Sequence, residues 1–174
     1  MTGTARHFED FHPGDRFQTL GRTVSEFEIL QFATLAGFTE PLFMDLEYIR
    51  RESVFKTRVA PGVLTFALAE GLILQTGILH GTGLALLSYD VRVVAPVLAG
   101  DTVTVEVLVV DTRDTRKPDR GVVTFRHRIA NQRDETVMEV LDPVSGSARV
   151  VPLTAREALR SELTGGRHQE RAEE

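Results

Sequence analysis

The segment that most restricts the possible folds runs from Pro61-Gly62 to Ile78. Val63, Leu64, Phe66, Leu68, Leu72, Ile73 and Leu74 leave it almost without a polar face. Pro-Gly marks a turn, and a helix that is apolar nearly all round belongs in a core. The texture then changes. Ala85, Leu87, Tyr89, Val91 and Val93 alternate with Ser88, Asp90 and Arg92, and Val103, Val105, Val107 and Val109 repeat the period of two that predicts strands. Two more strands are expected at 121–130 and 136–141, around a polar turn at Gln132-Arg133-Asp134. Short connections between successive strands favour antiparallel pairing.

A second, amphipathic helix precedes these elements. Ser25 and Glu28 form a capping-box pair, and Ile29, Phe32, Ala33 and Ala36 recur at helical spacing until Gly37. The pattern therefore predicts an α+β domain, an antiparallel sheet wrapped around one buried helix. A chain of 174 residues suits a single such domain, expected over residues 1–152. Beyond Pro152 a charged tail, residues 153–174, contains Gly165-Gly166 and is expected to fray after at most one short helix.

Composition removes several function classes. The formal net charge is −5, and the 20 basic residues are interspersed with acidic ones, which leaves no footprint for nucleic acid. With no cysteine there is no thiol nucleophile, disulfide or thiolate metal site. His7, His12 and His168 lie near the termini, and no histidine pair has helical metal-site spacing, so neither metal nor cofactor is expected. Residues 1–10 lack a signal-peptide core, and no apolar stretch reaches the roughly 18 residues of a membrane span, so a cytoplasmic protein without a membrane partner is expected.

The segments FEDFHPGD, GRTVSEFEILQFATLAG, EPLFMDLEYI, VAPGVLTFALAEGLIL, VRVVAPVLAGDTVTVEV and GVVTFRHRIANQ follow one another in this order. Together they resemble the MaoC-like branch of the hot-dog superfamily, the (R)-specific enoyl-CoA hydratases and dehydratases, over roughly residues 8 to 141. The resemblance implies a hot-dog fold whose central helix starts near Gly62, a shared dimer interface, and acyl-CoA or acyl-carrier-protein thioesters of fatty acid metabolism as substrates. In that family the segment after the first helix reads Gly-Asp-x-x-Pro-x-His-x-Asp, and its first Asp and its His handle the reacting water. Here residues 37 to 45 read GFTEPLFMD: Gly37, Pro41 and Asp45 match, but the two catalytic positions are Phe38 and Phe43. Hydration needs a base for water and an acid for the α-carbon, and losing such positioned groups costs about two to four orders of magnitude in rate.

The resemblance places an oxyanion hole at the helix start, where Pro61, Gly62 and Val63 are the expected substrate-binding residues, with Phe38 and Phe43 filling or lining the pocket beside them. Three residues are candidates to replace the dyad. Glu70 lies two turns into the apolar helix, His127 shares a strand face with Val123, Phe125 and Ile129, and Glu40 lies on the loop between the substituted positions. Each also has a plain structural reading: an interface carboxylate, a hydrogen-bonded core histidine and a solvated loop residue. Asp45 is expected to cap the segment from Leu46, and His80 to stand at the C-terminal end of the central helix. Arg58, Arg92 and Arg116 could meet CoA phosphates. Three functions stay open: a hydratase or dehydratase with a displaced or partner-supplied dyad, a thioesterase using Glu70, and a non-catalytic binding subunit, as homodimer or paired with a dyad-bearing hot-dog chain.

Overall fold

The computed structural model describes residues 5–140 and 147–154. A 3-10 turn at Phe8–Asp10 leads to β1 (Arg16–Gln18) and β2 (Arg22–Thr23). Four helices follow: α1 (Glu26–Ala36), α2 (Pro41–Met44), α3 (Leu46–Arg51) and α4 (Gly62–Gln75). The remaining strands are β3 (Ala85–Ser88), β4 (Val91–Val93), β5 (Thr102–Asp114), β6 (Arg120–Ala130), β7 (Thr136–Val140) and β8 (Ser147–Pro152). The outcome is the expected α+β hot-dog architecture.

β5 and β6 form the long central hairpin, and every pairing in the sheet is antiparallel. On the outer side of β5 lie β1 and β2. Along the other side of β6, β7 pairs with residues 127–130 and β8 with residues 120–125, so the two succeed one another along one neighbour. β4 then adds to β7 and β3 to β8. Period-two alternation sends Val103, Val105, Val107 and Val109 of β5, and Val123, Phe125, His127 and Ile129 of β6, to the buried face. There the apolar residues join Leu64, Leu68, Leu72 and Ile73 of α4 in one core, each such side chain contributing roughly 1.5–3 kcal/mol by leaving water.

The capping box forms as the sequence predicts: Ser25 Oγ accepts from the Glu28 N–H, Glu28 Oε2 accepts from the Ser25 N–H, and Gly37 closes α1 in the left-handed region at φ 74°. Asp45 caps α3, accepting from the N–H groups of Glu47 and Tyr48 at 2.8 and 3.1 Å.

Four expectations need correction. The central helix stops at Gln75, not near Ile78, because Thr76 Oγ1 turns back onto the Ile73 carbonyl at 2.7 Å and Gly77 enters the left-handed region at φ 78°. His80 consequently lies in the turn beyond the helix and its N–H donates to the Gly77 carbonyl, so it does not complement the helix dipole. Residues 84–93 form two short strands with different partners, and Leu84, Leu87, Tyr89 and Val93 are more than half exposed. Nor is α4 covered all round, since Val63 and Leu74 on its outer side are each 55% exposed.

The start and end of the described domain meet, with the Thr154 N–H donating to Glu9 Oε1 at 3.1 Å and the Leu153 N–H to the Asp119 carbonyl at 2.9 Å. The tail from 155 onward, with Gly165-Gly166 and His168, lies outside the described residues, as does residue 141 at the end of the last expected strand.

Candidate active site

The segment carrying the substituted positions is built by two turns and one buried arginine. After the left-handed Gly37, the Phe38 N–H donates to the Ala33 carbonyl, which places the Phe38 ring 5.8 Å from Phe32. Phe38 then meets Phe43 edge to face, at 5.5 Å and 80° between ring planes. Glu40 precedes Pro41 at the start of α2, exposed and absent from the cavity lining described below. Arg58, only 3% exposed, donates through Nε to Glu26 Oε1 at 3.0 Å and through Nη1 to the Phe43 carbonyl. It therefore ties α2, through Phe43, to α1 and is not a solvent-facing cation for CoA phosphates, which corrects the reading from sequence. Arg92, opposite Glu139 in the sheet register, and Arg116 on the β5–β6 turn are both exposed.

Phe43 lines an apolar cavity of about 360 Å³ at the start of α4, together with Leu42, Phe55, Pro61, Gly62, Thr65, Val93 and Met138. No ionisable side chain is among its described lining residues. The first turn of α4 has no side-chain cap, and its first backbone bonds run from Leu64 and Thr65 back to the Pro61 carbonyl. The N–H groups of Gly62 and Val63 thus precede the helical ladder and sit at the positive end of the dipole. Space at Gly62 is tight as well: a Cβ there would lie 3.2 Å from Val93 Cγ2, so that methyl group would have to give way by a few tenths of an ångström. Val63 itself points away from the lining and is exposed.

Two other candidates meet deeper in the molecule. Glu70 Oε1 lies 3.6 Å from Nδ1 of His127, a residue 1% exposed, while Glu70 Oε2 accepts from Arg149 Nη2. Arg149 is carried by β8, directly opposite Val123 in the register, and so shares the inner face with Phe125 and His127. Glu70 Oε1, His127 Nδ1 and Arg149 Nε are all buried without a hydrogen-bond partner. Burial pushes the His127 imidazolium down to about 3, and the Arg149 charge adds to the shift. Arg149 escaped the sequence reading; its signal is the position two residues before Val151 in a short Val-rich run that also holds Pro152.

Among the described residues, no group of His, Asp and Glu side chains could hold a metal ion, and no helix is long and apolar enough to cross a membrane.

The MaoC like domain family matches residues 10–130. An (R)-specific enoyl-CoA hydratase from Rhodospirillum rubrum is 36% identical over 120 residues, covering 69% of this chain and 78% of the relative. The crystal structure of a MaoC-like dehydratase from the same organism superimposes with a TM-score of 0.73 at 28% identity, covering 86% of this chain and 98% of that one. The truncated HadBC (3R-hydroxyacyl-ACP dehydratase) complex from Mycobacterium tuberculosis shares the fold, with a TM-score of 0.63 at 20% identity over 80% of this chain and 96% of that one.

Proposed function

The chain belongs to the MaoC-like domain family, a hydratase and dehydratase scaffold, and from that premise we propose that it binds acyl thioesters at the start of α4 but depends on a dyad-bearing hot-dog partner for acid–base chemistry. One observation carries this reading: the cavity beside Gly62 is lined by apolar side chains without an ionisable one, and Phe43, at the position where the resemblance expects the catalytic histidine, is part of that lining. The Gly62 and Val63 N–H groups would polarise a thioester carbonyl, stabilising negative charge as it develops on the oxygen. Phe43 would exclude water from the acyl group; Phe38, which the sequence reading put in the pocket, is not part of the lining and packs between Phe32 and Phe43, and neither ring can move a proton.

The need for a second chain is supported by exposed apolar side chains, Val63 and Leu74 on α4 and Leu84, Leu86 and Leu87 at and before β3. Among the described strands β3 pairs with β8 alone, which leaves its other edge open to a further strand. The HadBC dehydratase offers a precedent for two components working as one complex.

The test is a titration with crotonyl-CoA and longer enoyl-CoAs, following enoyl absorbance and thermal stability together. Stabilisation without turnover supports the proposal, because a ligand bound to the native state raises apparent stability by itself. Turnover by the isolated chain, or no stabilisation by any thioester, overturns it. In the Phe38→Asp/Phe43→His variant some crotonyl-CoA hydration should appear. The thioesterase alternative asks Glu70 to activate water, but its carboxylate is already engaged by Arg149. Acyl-CoA hydrolysis lost in Glu70→Ala would restore that alternative.

A further inference from the structure

The cavity at the start of α4 has one polar side chain in its otherwise apolar described lining, that of Thr65. Thr65 is itself only 3% exposed. It stands three positions after Gly62, on the same face of the helix and about 4.5 Å further along its axis. Side chains on a helix lean towards its N-terminus, so that of Thr65 leans back towards the Gly62 end. A threonine hydroxyl inside a helix ordinarily donates to the carbonyl four residues before it. Here that carbonyl, of Pro61, already accepts from the N–H groups of Leu64 and Thr65, at 2.9 and 3.1 Å. Thr65 Oγ1 has no hydrogen-bond partner among the described residues, yet it is not sealed as the unpartnered atoms of Glu70, His127 and Arg149 are. It therefore keeps a donor and an acceptor open to the cavity.

We propose that Thr65 makes this a site for acyl thioesters oxygenated at C3, which holds a 3-hydroxyacyl group more tightly than the same acyl group without the hydroxyl. The inference rests on the reading above, that the thioester carbonyl is held at Gly62. C3 is two carbons beyond the thioester carbon, so a hydroxyl on it falls within the reach of the single helical turn that separates Gly62 from Thr65. A saturated acyl group would cover the Thr65 hydroxyl without satisfying it. A 3-hydroxyl can take either role with Thr65 Oγ1, as donor or as acceptor. An ammonium or carboxylate at C3 fits less well, since no ionisable side chain lines the cavity to balance its charge.

The experiment is calorimetric titration of the full chain with butanoyl-CoA and with each enantiomer of 3-hydroxybutanoyl-CoA. For wild type, one enantiomer should bind about tenfold more tightly than butanoyl-CoA, the effect of one buried hydrogen bond. Thr65→Val keeps the shape of the side chain and removes its hydroxyl; the preference should vanish there while butanoyl-CoA binds no worse. Thr65→Ser, which restores a hydroxyl, should restore the preference. Equal wild-type affinities for butanoyl-CoA and both enantiomers overturn the inference even if a variant does not fold, and so does a preference that survives Thr65→Val. Failure of all three thioesters to bind would instead overturn the reading of the Gly62 cavity, and the inference with it.

Discussion

Acidification should weaken this protein through one buried side chain. His127 is enclosed by β5, β6, β7 and α4 and faces Glu70 on one side and Arg149 beyond it. Its protonated form is disfavoured, first by burial and then by the arginine, which brings the folded value to about 3 against 6.5 for the free side chain. Because the folded value is depressed, the unfolded chain binds more protons throughout the interval between them. Stability is thus fully present above pH 6.5 and falls as the pH drops towards 3. Linkage gives about 1.4 kcal/mol per pH unit once well below the unfolded value, or about 2 kcal/mol between pH 6.5 and 4.5. Urea unfolding of wild type and His127→Gln across this range isolates the contribution, since Glu28, held down to about 2 by its Ser25 and Arg22 hydrogen bonds, acts equally in both. The difference between the two proteins should shrink by that amount as the pH falls. A constant difference would refute the argument. One that widens would mean that His127 is protonated in the fold, paired with Glu70 across their 3.6 Å separation, and that Arg149 does not govern the carboxylate.

Arg149→Met should cost about 3–5 kcal/mol, because it strands a buried carboxylate, and Glu70→Leu added to it should recover most of the loss in the same urea assay. Arg58→Met should lower stability by about 2–4 kcal/mol, since it leaves the Phe43 carbonyl without its donor, and the accompanying release of the loop should show as faster amide exchange around residues 38–45. Gly121→Ala should push Phe8 off β6, because the new methyl group would overlap the ring; a loss of about 1–3 kcal/mol in thermal or urea unfolding checks this.

Much of the fold could be read from period alone. The Val103–Val109 alternation placed β5, and Ser25 with Glu28 placed the start of α1, because both signals are local: a pleat and a cap are complete within a few residues. What failed was set by distant partners. The alternating run at 84–93 looks like one strand, but β7 and β8 receive its two halves separately. β1 and β2 are two or three residues long and exist only because β5 offers an edge. At the site, the sequence could show that phenylalanines stand at positions 38 and 43, where the family resemblance expects the acid–base pair, since that needs only residue identities. It could not show that Arg58 reaches Phe43, or that Arg149 crosses 79 positions to meet Glu70, because an ion pair of that separation leaves no period behind.

The clasp between Glu9 and Thr154 brings the first and last described segments of the domain into contact. A permuted gene that joins these two ends by a few residues and opens the β5–β6 turn at 115–119 would encode the same neighbours in a different order. Very little loop-closure entropy would be added, since the joined ends already touch. The same proximity means that a second domain spliced in after residue 154 would begin beside Glu9 and Asp119, neither of which lines the cavity at the start of α4.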